Sequence, residues 1–183
     1  MTFSAQLAQI NELFMPPNTP TLHLLCGKVA AGKSTLAAKL ADADQTVLIS
    51  EDDWLSKLYG DQMQSLRDYV RFSAALQSAM APHVTALLKA GVSVVLDFPA
   101  NTSETRVWMR DILRASGAHH ELHLLTPPDK ICIARMHARN AGDDHPFSVT
   151  EEQFHRISAY FEPPRPEEGF HIVHHQATDG AKP

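Results

Sequence analysis

The chain has 183 residues, 44% hydrophobic and 20% charged, with a formal net charge of −5 at pH 7. That is ordinary usage for one globular domain and excludes a wholly disordered chain. Sixteen Lys plus Arg against 21 Asp plus Glu argue against non-specific duplex binding, where neutralised phosphates supply most of the affinity. No nucleic-acid partner is expected.

The N-terminal stretch MTFSAQLAQINELF lacks the basic region of a secretory signal, and no apolar run reaches the ~18 residues of a spanning helix. Two cysteines, Cys26 in an apolar run and Cys132 in a helical pattern, fit reduced thiols better than a disulfide framework. A cytoplasmic protein without membrane contact is expected.

In chain order, Phe3, Leu7, Ile10, Leu13 and Phe14 have helical spacing, and Pro16, Pro17 and Pro20 stop that helix. Residues 1–20 therefore read as a short helix and linker packed outside the domain. LHLLCG (22–27) is a short apolar run ending in glycine, the pattern of a buried strand. Helix formers fill 33–42. TVLIS (46–50) and VSVVLDF (92–98) are further strands.

Between those two strands, roughly 64–90 is helical, kinked or restarted at Pro82. A helix capped near Asn101, Thr102 or Ser103 runs to Ser116 and stops at Gly117. HELHLL (120–125) is a strand, 129–140 a helix, and Thr150 with Gln153 has capping-box spacing for another. HIVHH (171–175) adds a fifth strand before a loose tail, 176–183. Strands alternating with helices imply a parallel sheet covered on both faces, one α/β domain over 21–175.

Gly27-Lys28-Val29-Ala30-Ala31-Gly32-Lys33-Ser34 matches G-x-x-x-x-G-K-[ST] between a predicted strand and a predicted helix. Glycines let successive N–H groups face a phosphate chain, and the following helix, with Thr35 in its first turn, adds its positive end. Lys33 supplies a cation for the β- and γ-phosphates and Ser34 a hydroxyl for Mg²⁺.

Carboxylates come from two places. Asp97 ends an apolar strand, where it can hold Mg²⁺, since ligands bind at the carboxyl ends of strands in such sheets. Glu51, Asp52 and Asp53 follow another strand. One of them, Asp52 by preference, can take the proton of an attacking hydroxyl, with Asp53 close to the acceptor. The same acids can equally open the next helix.

Arg135 and Arg139, four apart on one helix, read as lid arginines that stabilise charge on a moving phosphoryl group, ahead of a loop able to move. Asn101 and Arg106 fall near the acceptor or its phosphate; a solvated or structural arginine is the competing reading. His119, His120 and His123 surround one strand start and His171, His174 and His175 another. Alternation splits such neighbours across two sheet faces, and neither cluster has zinc spacing with cysteines, so no metal is expected there. Trp54 and Trp108 are expected to pack.

CGKVAAGKST, ISEDDW, LDFPANTSETRVW, ARMHARNAG and FEPPRPEEGF together resemble the small, single-domain P-loop kinase-like proteins grouped with AAA-family ATPases. These are similar to zeta toxins, chloramphenicol phosphotransferase and the kinase domain of polynucleotide kinase. The resemblance implies a three-layer, nucleoside-kinase-like P-loop NTPase fold, with a five-stranded parallel sheet between helices and a short helical lid. It also implies an ATP- and Mg²⁺-dependent phosphotransferase with Lys33 and Ser34 at the nucleotide. Asp52 would be the general base and Arg135 or Arg139 the lid arginine.

Leu55 stands where polynucleotide kinases tend to carry a basic residue, which favours a small-molecule acceptor. The expected enzyme is a monomer or small homo-oligomer. The competing function is a nucleotide-binding switch that uses the same loop without an acceptor pocket.

Overall fold

A computed structural model describes residues 19–141 and 149–175. The expected N-terminal helix, most of the loop after residue 140 and the tail lie outside the described residues.

Five strands, β1 (Thr21–Cys26), β2 (Thr46–Ser50), β3 (Ser93–Pro99), β4 (His119–Leu125) and β5 (Ile172–His175), form one sheet in the order β2-β3-β1-β4-β5. Every neighbouring pair is parallel. Each strand begins and ends within one residue of its predicted position. From β1 the chain crosses to the edge strand β2, returns to β3 beside β1, and then moves to β4 and β5 on the other side, so β1 lies at the switch point where ligand crevices open.

Helices cover both faces. On one face α1 (Lys33–Ala41) packs through Ala37 on Leu25 and Val95. Beside it α5 (Asp129–Asn140) and α6 (Glu151–Ser158) enclose Leu125, Cys132, Met136 and Phe154. On the other face α3 (Leu66–Lys89) and α4 (Ser103–Ser116) bury Leu76, Val84, Met109 and Ile112 against Leu24, Leu96 and Leu122. The two cysteines are buried free thiols in separate clusters. No described helix is long and apolar enough to cross a membrane.

Two expectations change. The helix expected to kink or restart at Pro82 does not restart there but runs on as one helix through that residue. Phe72, Leu76, Met80, Val84 and Leu88 form an unbroken buried stripe at four-residue spacing, with Pro82 on the exposed side. Burying each is worth roughly 1.5–3 kcal/mol, which outweighs the ~3 kcal/mol an internal proline costs. Trp54, expected to pack, is 40% exposed, whereas Trp108 packs on Phe98 with ring centroids 5.4 Å apart.

The segment after β2 is a helix, α2 (Glu51–Tyr59), whose N-cap Ser50 accepts a hydrogen bond from the Asp53 N–H. The capping box at Thr150 and Gln153 and the left-handed Gly117 after α4 form as the sequence implied.

Candidate active site

β1 ends where the glycine-rich loop begins. A Cβ on Gly27 would lie 2.6 Å from the Leu125 carbonyl oxygen, so glycine alone lets the loop leave β1 against β4. Gly32 turns the chain into α1 with φ +103°. Ala30 also has positive φ, at 56°, which costs a non-glycine residue about 1–3 kcal/mol, strain of a kind that clusters at ligand clamps.

What α1 lacks sets its start apart. Its first turn has no acid and its N-cap Gly32 offers no side-chain hydrogen bond. By contrast α2, α3, α4 and α6 each begin with a Ser or Thr cap and carry acids in the first turn. The orphan N–H groups and positive pole of α1 are thus left for an anion the helix does not supply.

Lys33 Nζ donates to the carbonyl oxygens of Gly27 (2.7 Å) and Lys28 (2.8 Å). Burial lowers its pKa, opposed by the charges of Asp97 and Asp52. Ser34 and Asp97 are close enough for the hydroxyl to favour the ionised carboxylate. Burial raises the Asp97 carboxyl pKa and the nearby Asp52 charge adds to the rise, while Ser34 and Lys33 oppose it. A hydroxyl and a carboxylate are hard oxygen donors suited to Mg²⁺, and the uncapped helix and close-approach glycine suit a polyphosphate. The residues present therefore fit both ligands.

The remaining loop side chains hold the loop in place. Ala31 is buried in the cluster beneath α5 and α6, and Val29 and Ala30 pack against it while partly exposed. Lys28 pairs with Asp129 at 2.6 Å and ties the loop to α5. Thr35 is exposed in the first turn of α1.

α2 sorts its three acids by helical position. Glu51 is buried and accepts hydrogen bonds from the hydroxyls of Ser73 (2.5 Å) and Tyr69 (3.1 Å), with burial raising its pKa. Asp53 is exposed and pairs with Lys57 at 3.3 Å. Asp52, half-buried between them, is the acid whose charge reaches both Lys33 and Asp97. The register pairing of Ser50 with Asp97 sets the end of β2 beside that of β3 and explains the proximity.

Two expected acceptor contacts are corrected. The Asn101 amide accepts from the Gly27 N–H (2.8 Å) and donates to the Gly27 carbonyl (2.9 Å), so it clamps the loop. Arg106 is 1% exposed. Its guanidinium donates twice to Glu168 and also to the carbonyls of Ala100 (3.0 Å) and Glu162 (2.8 Å), leaving no face for a ligand.

The two arginines expected in a lid differ in their surroundings. Arg135 Nη1 lies 3.4 Å from the Ala31 carbonyl and close over Gly32. Arg139 sits one turn further along α5, half-buried. Sequence reasoning missed the Asn101 clamp and the Glu51–Tyr69–Ser73 cluster. A buried acid needing donors from another helix is the physical signal for the latter, and periodicity of α3 alone does not display it.

A sheet-centre strand, a phosphate-binding loop, an uncapped helix and an acid on the neighbouring strand end define a P-loop NTPase-like α/β protein of the kinase-like type. The chain belongs to the family described as "AAA domain", whose model matches residues 22–164. No curated protein matches the sequence.

Solved structures share the fold. A provisionally described kinase from Chloroflexus aurantiacus J-10-fl is 19% identical with a TM-score of 0.68, over 87% of this chain and 86% of that one. Chaetomium thermophilum Kti12 in complex with ADP-AlF3 is 12% identical with a TM-score of 0.59, over 86% and 91%. A gluconokinase from Sinorhizobium meliloti 1021 is 15% identical with a TM-score of 0.52, over 86% and 82%.

Proposed function

We propose that the protein is an ATP-dependent phosphotransferase that moves the γ-phosphoryl group to a hydroxyl of a small molecule. The observation that carries this reading is the convergence of Lys33, Asp97 and Asp52 at the start of α1, which alone among the described α-helices has neither a side-chain cap nor a first-turn acid. The backbone of residues 27–34 would hold the triphosphate, with Lys33 exchanging its two carbonyl partners for phosphate oxygens. Ser34 and Asp97 would hold Mg²⁺, which when bound neutralises charge on the phosphates.

Asp52 receives the proton of the acceptor hydroxyl, and Arg135, extending from α5 over the loop, adds positive charge where the transferring group carries negative charge. Kti12 with ADP-AlF3 and the gluconokinase lend the nucleotide and the hydroxyl acceptor as chemistry this fold hosts. Leu55 is fully buried and offers nothing to a nucleic-acid end, in keeping with a small acceptor.

The test is a screen of hydroxyl compounds with γ-labelled ATP, followed by Asp52→Asn on the accepted compound. ATP affinity should stay nearly intact while transfer falls by about 10²–10⁴-fold, the range typical of acid–base catalysis. Full transfer by that variant would remove Asp52 as base. Nucleotide binding with no labelled acceptor, and hydrolysis indifferent to Asp52, would favour the switch.

A further inference from the structure

Three side chains meet on the sheet face shared with α1 and α5, along the middle of β1 and β4. His23 lies four residues before Gly27, about 13 Å along an extended strand. Parallel pairing sets His23 opposite Glu121 and Leu25 opposite His123, so both β4 residues share the face of His23. The alternation expected to scatter the histidines instead aligns those two positions apart, and the neighbouring strand completes the group.

Three donor atoms converge there. His23 Nδ1 is 3.1 Å from His123 Nε2, and Glu121 Oε2 is 3.3 Å from the first and 3.5 Å from the second. A tetrahedral cation bound at about 2.0–2.1 Å holds its donors about 3.3–3.4 Å apart. The triangle already has that edge. His123 Nδ1 lies 2.9 Å from His175 Nε2, the outer hydrogen bond that orients a metal-binding imidazole.

Proton accounting points the same way. In the tautomer with His123 Nδ1–H donating to His175, Nε2 is a lone pair. One proton on His23 Nδ1 must then serve both that lone pair and the carboxylate. A cation accepts all three lone pairs at once.

We propose that His23, Glu121 and His123 form a binding site for a late first-row divalent cation, with zinc as the reference metal. Two imidazoles and a carboxylate suit this class, and three protein donors leave a fourth position for water or an added ligand. Glu121 also belongs to a second, more exposed group with His119 and His171. The tighter, more buried triangle is the site assigned.

The full-length chain, stripped of metal by chelation and free of nucleotide, is titrated with Zn²⁺ by calorimetry and with Co²⁺ by visible absorption. One equivalent should bind, with the intense bands of a tetrahedral site. His23→Ala should weaken binding at least about a hundredfold, since even outer-sphere partners account for 10–100-fold. Glu121→Gln should do likewise, and His171→Ala should leave the affinity unchanged.

Circular dichroism before each titration checks folding, and His23→Gln replaces His23→Ala if the smaller side chain disturbs β1. No binding to the wild type overturns the proposal. So does tight binding that survives both His23 variants, or a loss on His171→Ala with His23→Ala silent.

Discussion

Lys33 and Arg106 are both cations drawn into the protein, and their partners differ in kind. Lys33 donates to two neutral carbonyls of its own loop, with Asp97 and Asp52 contributing charge rather than contact. Arg106 is 1% exposed and grips both oxygens of Glu168 while bracing two carbonyls. Ammonium and guanidinium suit these tasks: one is a compact point charge on a flexible stem, the other a planar fork that matches a carboxylate. A cation held only by neutral carbonyls can exchange them for another acceptor. A cation that must hold a seam is given a charged, bidentate one.

The sharpest break of this contrast is Lys33→Ala. Nucleotide binding should be lost altogether, read by calorimetry with ATP and magnesium, while the far-ultraviolet spectrum stays native. Normal binding would end the comparison, because Lys33 would then have no partner to change to.

Arg106→Leu should do the reverse and act on stability. Breaking a buried pair from one side costs about 3–5 kcal/mol, a fall in Tm on the order of 10 °C for a domain of this size. A Tm within 2 °C of wild type, measured by scanning calorimetry, would show that the seam is not what Arg106 holds.

Acid sharpens the point. The Arg106 hydrogen bonds hold the Glu168 carboxyl below its usual range. Its pairing therefore contributes fully above the unfolded value, about 4.3, and is lost as pH falls through the lower folded value. The Tm gap between wild type and Arg106→Leu should be constant from pH 7 to about 5 and narrow below that. A gap that widens in acid would contradict the assignment.

Asn101→Ala gives a smaller effect that joins the two regions. Asn101 holds Gly27 by two hydrogen bonds, and its own carbonyl accepts from the Glu162 N–H in the Arg106 seam. At about 1 kcal/mol per bond, ATP affinity should fall about five- to thirtyfold. Unchanged affinity would mean the loop keeps its shape without the clamp. Asp53→Asn is the smallest: its exposed pair with Lys57 is worth ~0.5 kcal/mol or less, and phosphoryl transfer should be unaltered. A large loss of transfer would place Asp53, not Asp52, at the acceptor.

The FEPPRPEEGF stretch shows how far the chain could be read without coordinates. It stood out as a landmark, yet nothing in it announces that Glu162 and Glu168 brace an arginine some sixty residues away. Local patterns did better. Capping pairs, apolar runs and the Gly27–Ser34 spacing act within a few residues, and the elements they imply are present almost to the residue. Glu51, Asp52 and Asp53 are the intermediate case. Their position after a strand was plain, but the helix begun by Ser50 was needed to send them inward, sideways and outward.

The amino-acid order alone determined the alternation of strands and helices and the place of the Gly27–Ser34 loop between β1 and α1. Hydrophobic period, turn residues and steric demands at glycine act over short spans and carry no need of distant partners. Tertiary structure alone decided the strand order, the burial of Arg106, the clamping role of Asn101 and the meeting of His23 with Glu121 and His123. Those depend on which segments pair across the sheet, and a side chain's partner there is chosen by register and burial rather than by its neighbours in the chain.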